Sequence, residues 1–210
     1  KPKPLILPTP LTDELDLFKS EVASAIDEFR TDYQIYFDRN NARQAEPKIA
    51  LDPMPRVIMV TGLGLFGLGN SARTAAVAAD LAETTVRVVA QAEGIGTFES
   101  IAESDIFDIE YWSLEQAKFS KMAEKPLARH VVAVTGGASG IGLATVRAFR
   151  AQGAEVAILD RDQDSAGEDA AAIGAVAIPC DVTDVDSVPA AFNRIAEIFG
   201  GLDILVSNAG

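Results

Sequence analysis

The chain has 210 residues, of which 48% are hydrophobic and 23% charged, a globular composition too apolar for a disordered tail. A formal net charge of -13 argues against a basic surface for nucleic acid, and the single cysteine, Cys180, excludes an internal disulfide and fits a reducing, cytoplasmic setting. No apolar run approaches the roughly 18 residues of a membrane span, and the lone histidine, His130, excludes a multi-histidine metal centre, so no metal or membrane partner is expected.

Residues 1–10 hold four prolines, which remove donors and disfavour helix, so an extended segment is predicted. A helix is predicted to begin at Thr12, a residue able to cap it. Leu11, Leu15, Phe18, Val22, Ile26 and Phe29 then recur every three or four positions, one apolar stripe on a helix. Tyr33, Tyr36 and Phe37 continue beyond it as a packing tail. Residues 38–56 are polar, carry Pro47, Pro53 and Pro55, and are predicted to be a loop. Val57–Val60 is a short apolar run consistent with a buried strand. A glycine-rich loop over 61–69 and an Ala-rich helix from about Ser71 to Gln91 follow. Residues 95–125 are predicted as loop and helix, and 121–129 as a linker.

Gly62, Gly64 and Gly67 spell G-x-G-x-x-G between a strand and a helix, which on pattern alone is a dinucleotide fingerprint. The loop is apolar, however, and no acidic residue ends a second strand about 20 positions later. A tight turn whose glycines permit close packing is the favoured reading.

From His130 the rhythm is regular. Strands are predicted at 131–135, 155–160, 175–180 and 202–207, and helices at 140–152, 164–173 and 184–199. Strands alternating with helices of this length imply right-handed crossovers and a parallel sheet. The expected fold is α/β: the N-terminal half of a Rossmann-like, doubly wound parallel sheet, preceded by a smaller α/β linker region. The expected division is an extended segment, helix and loop over 1–54, a small α/β region over 55–125, and the half-Rossmann segment over 126–210.

Thr135-Gly136-Gly137-Ala138-Ser139-Gly140-Ile141-Gly142 closes an apolar strand and opens a helix. Gly136 can turn sharply out of the strand, Gly140 removes a side chain where backbone must approach phosphate, and Gly142 lets the helix pack closely on the sheet. The helix start offers oriented N–H groups to a pyrophosphate, which suits an acidic protein. Asp160 ends the second strand 18 residues after Gly142. A carboxylate there accepts hydrogen bonds from both ribose hydroxyls and repels a 2′-phosphate, so NAD is favoured over NADP. Arg161 works against that preference, because an arginine can hold a 2′-phosphate. Asp181 and Val182 end the third strand and are candidates for the adenine pocket. Asn208, Ala209 and Gly210 end the fourth. Cys180 reads as a buried, inert thiol.

Together these residues resemble the short-chain dehydrogenase/reductase family over about 128–210, with Ser207 in place of the first Asn of its N-N-A-G. The resemblance implies that Asp181 contacts adenine and that Asn208, Ala209 and Gly210 support the sheet beside the nicotinamide ribose. Pro55-Arg56-Val57, the Gly62–Gly67 loop and Phe107-Asp108-Ile109-Glu110-Tyr111-Trp112 resemble the link region of bifunctional proteins that join a class II aldolase of the rhamnulose-phosphate type to a short-chain dehydrogenase. That resemblance implies an enzyme of deoxy-sugar breakdown acting on a small hydroxy compound or aldehyde, and a homo-oligomeric parent. Both ends of the chain look abrupt, so a central piece of a longer protein is expected.

The family's Tyr-x-x-x-Lys has no counterpart here: positions four after Tyr33, Tyr36 and Tyr111 hold Phe37, Asn40 and Glu115. No catalytic residue is therefore assigned, and the 210 residues alone are expected to be inactive. A non-catalytic nucleotide-binding or assembly module and a sugar-phosphate aldolase remnant remain as alternative readings.

Overall fold

The computed structural model describes residues 3–113 and 124–210. The chain divides into two compact units, one of residues 1–69 and 73–123, the other of residues 70–72 and 124–210. Part of the expected 121–129 linker lies outside the described residues.

The first unit is built on a three-stranded sheet of order β1-β2-β3. β1 (Leu5–Leu7) pairs parallel with β2 (Val57–Val60), and β2 pairs antiparallel with β3 (Gly64–Gly67). The proline-rich start is thus extended, and its three residues between Pro4 and Pro8 form a strand. β1 belongs to the expected first segment and β2 to the expected second, so one sheet joins them.

The glycine-rich loop differs from expectation. It contains a strand, because Leu63 N–H donates to Val60 O at 3.0 Å and turns the chain back, placing Gly64 opposite Val60 and Gly67 opposite Val57. Gly67 then meets α2 (Ala72–Glu93): a Cβ there would lie 2.2 Å from Ala75 O. The tight-turn reading with close packing describes this hairpin, and it leaves no phosphate loop.

α1 (Leu15–Asn41) begins later and runs longer than expected. Thr12 does not cap it; residues 11–14 form a turn closed by Glu14 N–H on Leu11 O, and Leu11 and Leu15 stay exposed. The rest of the stripe, Phe18, Val22, Ile26 and Phe29, packs on Leu5, Leu7 and Val60. One turn on, Tyr33, Tyr36 and Phe37 meet Phe107 and Tyr111 around α3 (Glu103–Glu110) in a second cluster. Phe107 and Tyr111 stack with centroids 4.3 Å apart, and Tyr36 meets Phe107 edge-on at 5.7 Å.

The polar tips of this cluster are satisfied. Tyr33 and Tyr111 share a hydroxyl–hydroxyl hydrogen bond, and Tyr33 Oη accepts from Leu51 N–H at 2.8 Å. Tyr36 donates to Glu110 at 3.2 Å. Buried Asn40 donates to Tyr36 O and to Glu103, which Arg39 also grips through Nε and Nη2. Burial raises the Tyr33 hydroxyl above the ordinary phenol value and pushes those of Tyr36 and Tyr111 well above it.

The second unit holds a parallel sheet of order β6-β5-β4-β7. Its strands are β4 (Val131–Thr135), β5 (Glu155–Asp160), β6 (Val176–Pro179) and β7 (Ile204–Val206), and its helices α4 (Gly140–Ala151), α5 (Gln163–Ile173) and α6 (Ser187–Phe199). The third helix starts three residues later than expected, because Asp181 and Asp184 organise a turn ahead of it.

Strand side chains alternate between two faces. Val132, Val134, Val156 and Ile158 pack on one side with Val146 of α4 and with Ala166 and Ala170 of α5. Ala133, Ala157, Leu159 and Ile178 face the other side with Ala191 and Ile195 of α6. The sheet is therefore covered on both faces, the requirement for all-parallel pairing. The direction of winding reverses between β4 and β7, a topological switch point of the kind that opens a ligand crevice at the carboxyl ends of strands.

Candidate dinucleotide site

The residues singled out from the sequence fall at the carboxyl ends of β4, β5, β6 and β7. At the end of β4, Gly136 takes φ +62° and donates its N–H to Leu159 O at 2.8 Å. Gly140 takes φ +52°, and no heavy atom lies within 4 Å of where its Cβ would be. Both angles are costly for a side-chain-bearing residue. Gly142 is demanded by space: a Cβ there would sit 2.0 Å from Gly136 O and 2.8 Å from Asn208 Nδ2. The glycine pattern thus draws α4 against the loop and leaves open room in front of Gly140.

Ser139 is extended and precedes α4 without a side-chain cap. The opening N–H groups of α4 receive no help from it, and they face the end of the helix where an anion is stabilised. Ile141, in the first turn, is 80% exposed. The backbone at Gly140, Ile141 and Gly142 fits a pyrophosphate by its chemistry: donors, a helix terminus and no obstructing side chain.

Asp160, at the end of β5, is tied to this loop. One carboxylate oxygen accepts from Ala138 N–H at 3.0 Å and the other from Asp162 N–H at 3.1 Å. Arg161 is exposed on the loop that follows. Its charge acts on Asp181, adding to what the Thr183 hydroxyl and N–H do when they hold that carboxyl below the usual range. Asp181 Oδ1 accepts from Thr183 Oγ1 at 2.7 Å and from its N–H at 2.9 Å, while Asp181 N–H donates to Ser187 Oγ. Val182 beside it is half exposed. Cys180 is buried, and burial pushes its thiol up, with the Asp181 charge adding to the shift. Those directions suit an inert thiol.

Asn208 and Ala209 are brought against Gly136. Asn208 Nδ2 donates to Thr135 O at 3.0 Å and to Gly136 O at 3.1 Å. The centre of this junction is a side chain the sequence reading passed over. Thr135 Oγ1 accepts from Asn208 N–H at 3.0 Å and Ala209 N–H at 3.1 Å, closing β4 onto β7. Its signal was a hydroxyl at the last strand position before the glycines. Gly210 lies beyond, with nothing within 4 Å of its Cβ position.

The three tyrosines, Tyr33, Tyr36 and Tyr111, all lie in the buried cluster of the first unit. Among the described residues, no group of three or more His, Cys, Asp or Glu could hold a metal ion, and no helix is long and apolar enough to cross a membrane.

Comparison with known proteins divides the chain in the same two parts. Residues 1–119 match the family described as aldolase class II, second domain, and residues 130–210 match the short chain dehydrogenase family. An uncharacterized oxidoreductase of Bacillus subtilis, YuxG, is 35% identical over 209 residues, covering 96% of this chain and 30% of the relative. A galactitol 2-dehydrogenase of Agrobacterium fabrum is 49% identical over 81 residues, 38% of this chain and 32% of that protein. A 3-ketoacyl-(acyl-carrier-protein) reductase from Brucella melitensis, solved complexed with NADH, is 40% identical, covers 39% of this chain and 34% of its own, and gives a TM-score of 0.38. The chain spans about a third of the length of the curated relatives it matches.

Proposed function

Because the chain belongs to the class II aldolase second-domain family and its residues 130–210 match the short chain dehydrogenase family, we propose that its second unit is the NAD-holding part of an oxidoreductase within a bifunctional aldolase/dehydrogenase of sugar breakdown. The observation that carries this reading is the convergence of the open Gly140 loop, the uncapped start of α4 and the Asp160 carboxylate at the ends of adjacent parallel strands.

When bound, the nicotinamide cofactor supplies hydride transfer with a small hydroxy compound or aldehyde. The chain's own residues bind and orient it. Gly136, Gly140 and Gly142 bring backbone to the pyrophosphate, with Ser139 and Ile141 beside it. Asp160 takes the adenosine ribose, and Asp181 with Val182 borders adenine. Asn208, Ala209 and Gly210, held by Thr135, form the floor nearest the nicotinamide. Arg161 stands at the ribose rim, and the Asp160 carboxylate, which repels a 2′-phosphate, leaves NAD preferred to NADP. Proton transfer belongs to residues outside these 210, which alone are inactive. The setting is cytoplasmic and the parent protein a homo-oligomer.

Calorimetric titration of NAD and NADP onto the chain and its Asp160→Ala variant tests the assignment. NAD affinity should fall by about tenfold, the value of one or two charge-assisted hydrogen bonds, with NADP affected less. An equal loss for both cofactors, or none, sinks the ribose assignment. The match over residues 1–119 favours a second activity in the parent, cleavage of a sugar phosphate by a metal site outside this chain. That reading requires a lyase activity lost on chelation in the longer protein.

A further inference from the structure

α2 carries two apolar stripes, and the fold uses one. Ala75, Ala78, Ala79, Ala82, Val89 and Ala92 are turned inward and wholly or partly buried. On another face Val77, Leu81, Thr84 and Val88 recur at spacings of four, three and four, the period of a helix-pairing seam. Val77 is 51% exposed, Leu81 65% and Val88 53%, although each is large and apolar. Asp80 and Arg87 flank this seam along one edge.

The charges select the occupant. In an antiparallel pair of α2 helices around a two-fold axis near Glu83, Val77 meets the partner's Val88 and Leu81 meets the partner's Thr84. Asp80 then faces the partner's Arg87, and Arg87 faces the partner's Asp80. A parallel pair places Asp80 and Arg87 opposite Thr85 and Ala92, with no ion pair. The surface is therefore self-complementary in one orientation, as an isologous contact requires. Within one chain Arg87 bonds Glu83 at 2.9 Å, but both side chains are mostly exposed and the pair is released at little cost.

We infer that the outward face of α2 is a homodimer interface, formed by antiparallel pairing with a second copy of this chain. Three turns of helix bury less than a standard interface, so the dimer is reversible and concentration-dependent.

Sedimentation velocity over a concentration series tests it on the full 210-residue chain. A monomer–dimer equilibrium is expected. Leu81→Lys should weaken it about thirtyfold or more, as for a central anchor residue. Asp80→Arg should weaken it, and Asp80→Arg with Arg87→Asp should restore it. Leu81→Cys combined with Thr84→Cys should oxidise to a cross-linked dimer, because those positions face each other across the seam. Arg73→Cys should not, because the two Arg73 positions stand about 30 Å apart at the rise of a helix. Circular dichroism confirms that the variants fold. A chain that stays monomeric at its highest soluble concentration overturns the inference, including the case in which another domain of a longer protein covers the face. So does a dimer indifferent to Leu81→Lys and to the charge reversals.

Discussion

The two units solve the problem of covering a sheet differently. The second places small and branched residues on both faces of a parallel sheet, with Val132, Val134, Val156 and Ile158 fully buried on one side and Ala157 and Leu159 on the other. Its exposed large apolar residues, Ile141, Val182, Val185 and Leu205, are few, and Ile141 and Val182 border the candidate site. The first unit has three short strands and long helices, and it leaves Leu63, Phe66, Leu81, Ile95, Ile109 and Trp112 among many others in solvent. Its tightest core is an aromatic cluster whose hydroxyls must all find partners. A parallel sheet closed on both faces is nearly complete in its apolar burial, whereas the first unit leaves much apolar surface outside its core.

The glycines that touch backbone give the sharpest test of that contrast. Gly142→Ala drives a Cβ into Gly136 O, and Gly67→Ala drives one into Ala75 O and Ala79 N. Each should cost its own unit about 3 kcal/mol or more and leave the other unit folded. Trp112 is the only tryptophan and lies in the first unit, so its fluorescence follows that unit, while amide exchange in β4 and β5 follows the second. Loss of both units together in either variant breaks the comparison.

Removing one hydroxyl from each unit has a smaller effect. Tyr33→Phe strands Leu51 N–H and the Tyr111 hydroxyl beside an apolar ring and should cost about 2 kcal/mol. Thr135→Val strands the N–H groups of Asn208 and Ala209. Both of those residues are half-buried, so water replaces part of the loss, and about 1 kcal/mol is expected, with weaker NAD binding. Urea unfolding measures both stability losses, and cofactor titration follows the change in binding. A larger loss for Thr135→Val reverses the order and makes the strand junction the more rigid core.

The smallest effect is electrostatic. Thr183 holds the Asp181 carboxyl below its ordinary range. A lowered folded-state value stabilises the fold above the unfolded carboxyl's titration range, and the contribution fades as pH falls through the lowered value. Nuclear magnetic resonance titration should show Asp181 titrating low, and Thr183→Val should return it towards the usual value. No change in the variant removes Thr183 as the cause. The first unit's tyrosines, with raised values, should show no titration below the ordinary phenol range.

How much could be read beforehand also differs between the units. In the second, local patterning and tertiary structure agree: each strand alternates between two apolar faces, and Asp160 follows the glycine loop at the distance the crossover needs. In the first, Gly62, Gly64 and Gly67 satisfied a phosphate-loop pattern, yet β3 pairs back onto β2. The pattern records where glycines are tolerated, and hairpins and phosphate loops tolerate them alike. Thr12 looked like a helix cap, and the turn at 11–14 displaced it to a position the spacing could not reveal.

The sequence by itself determined the α/β order of the second unit, the places where glycine is needed and the residues at its strand ends, because these follow from side-chain period and backbone sterics within short stretches. Tertiary structure alone decided that β1 pairs with β2 more than 50 residues away, that Thr135 locks β4 to β7, and that one face of α2 is covered while the other is left to solvent. Those outcomes depend on which distant segments arrive at the same place, and a one-dimensional pattern carries no record of that.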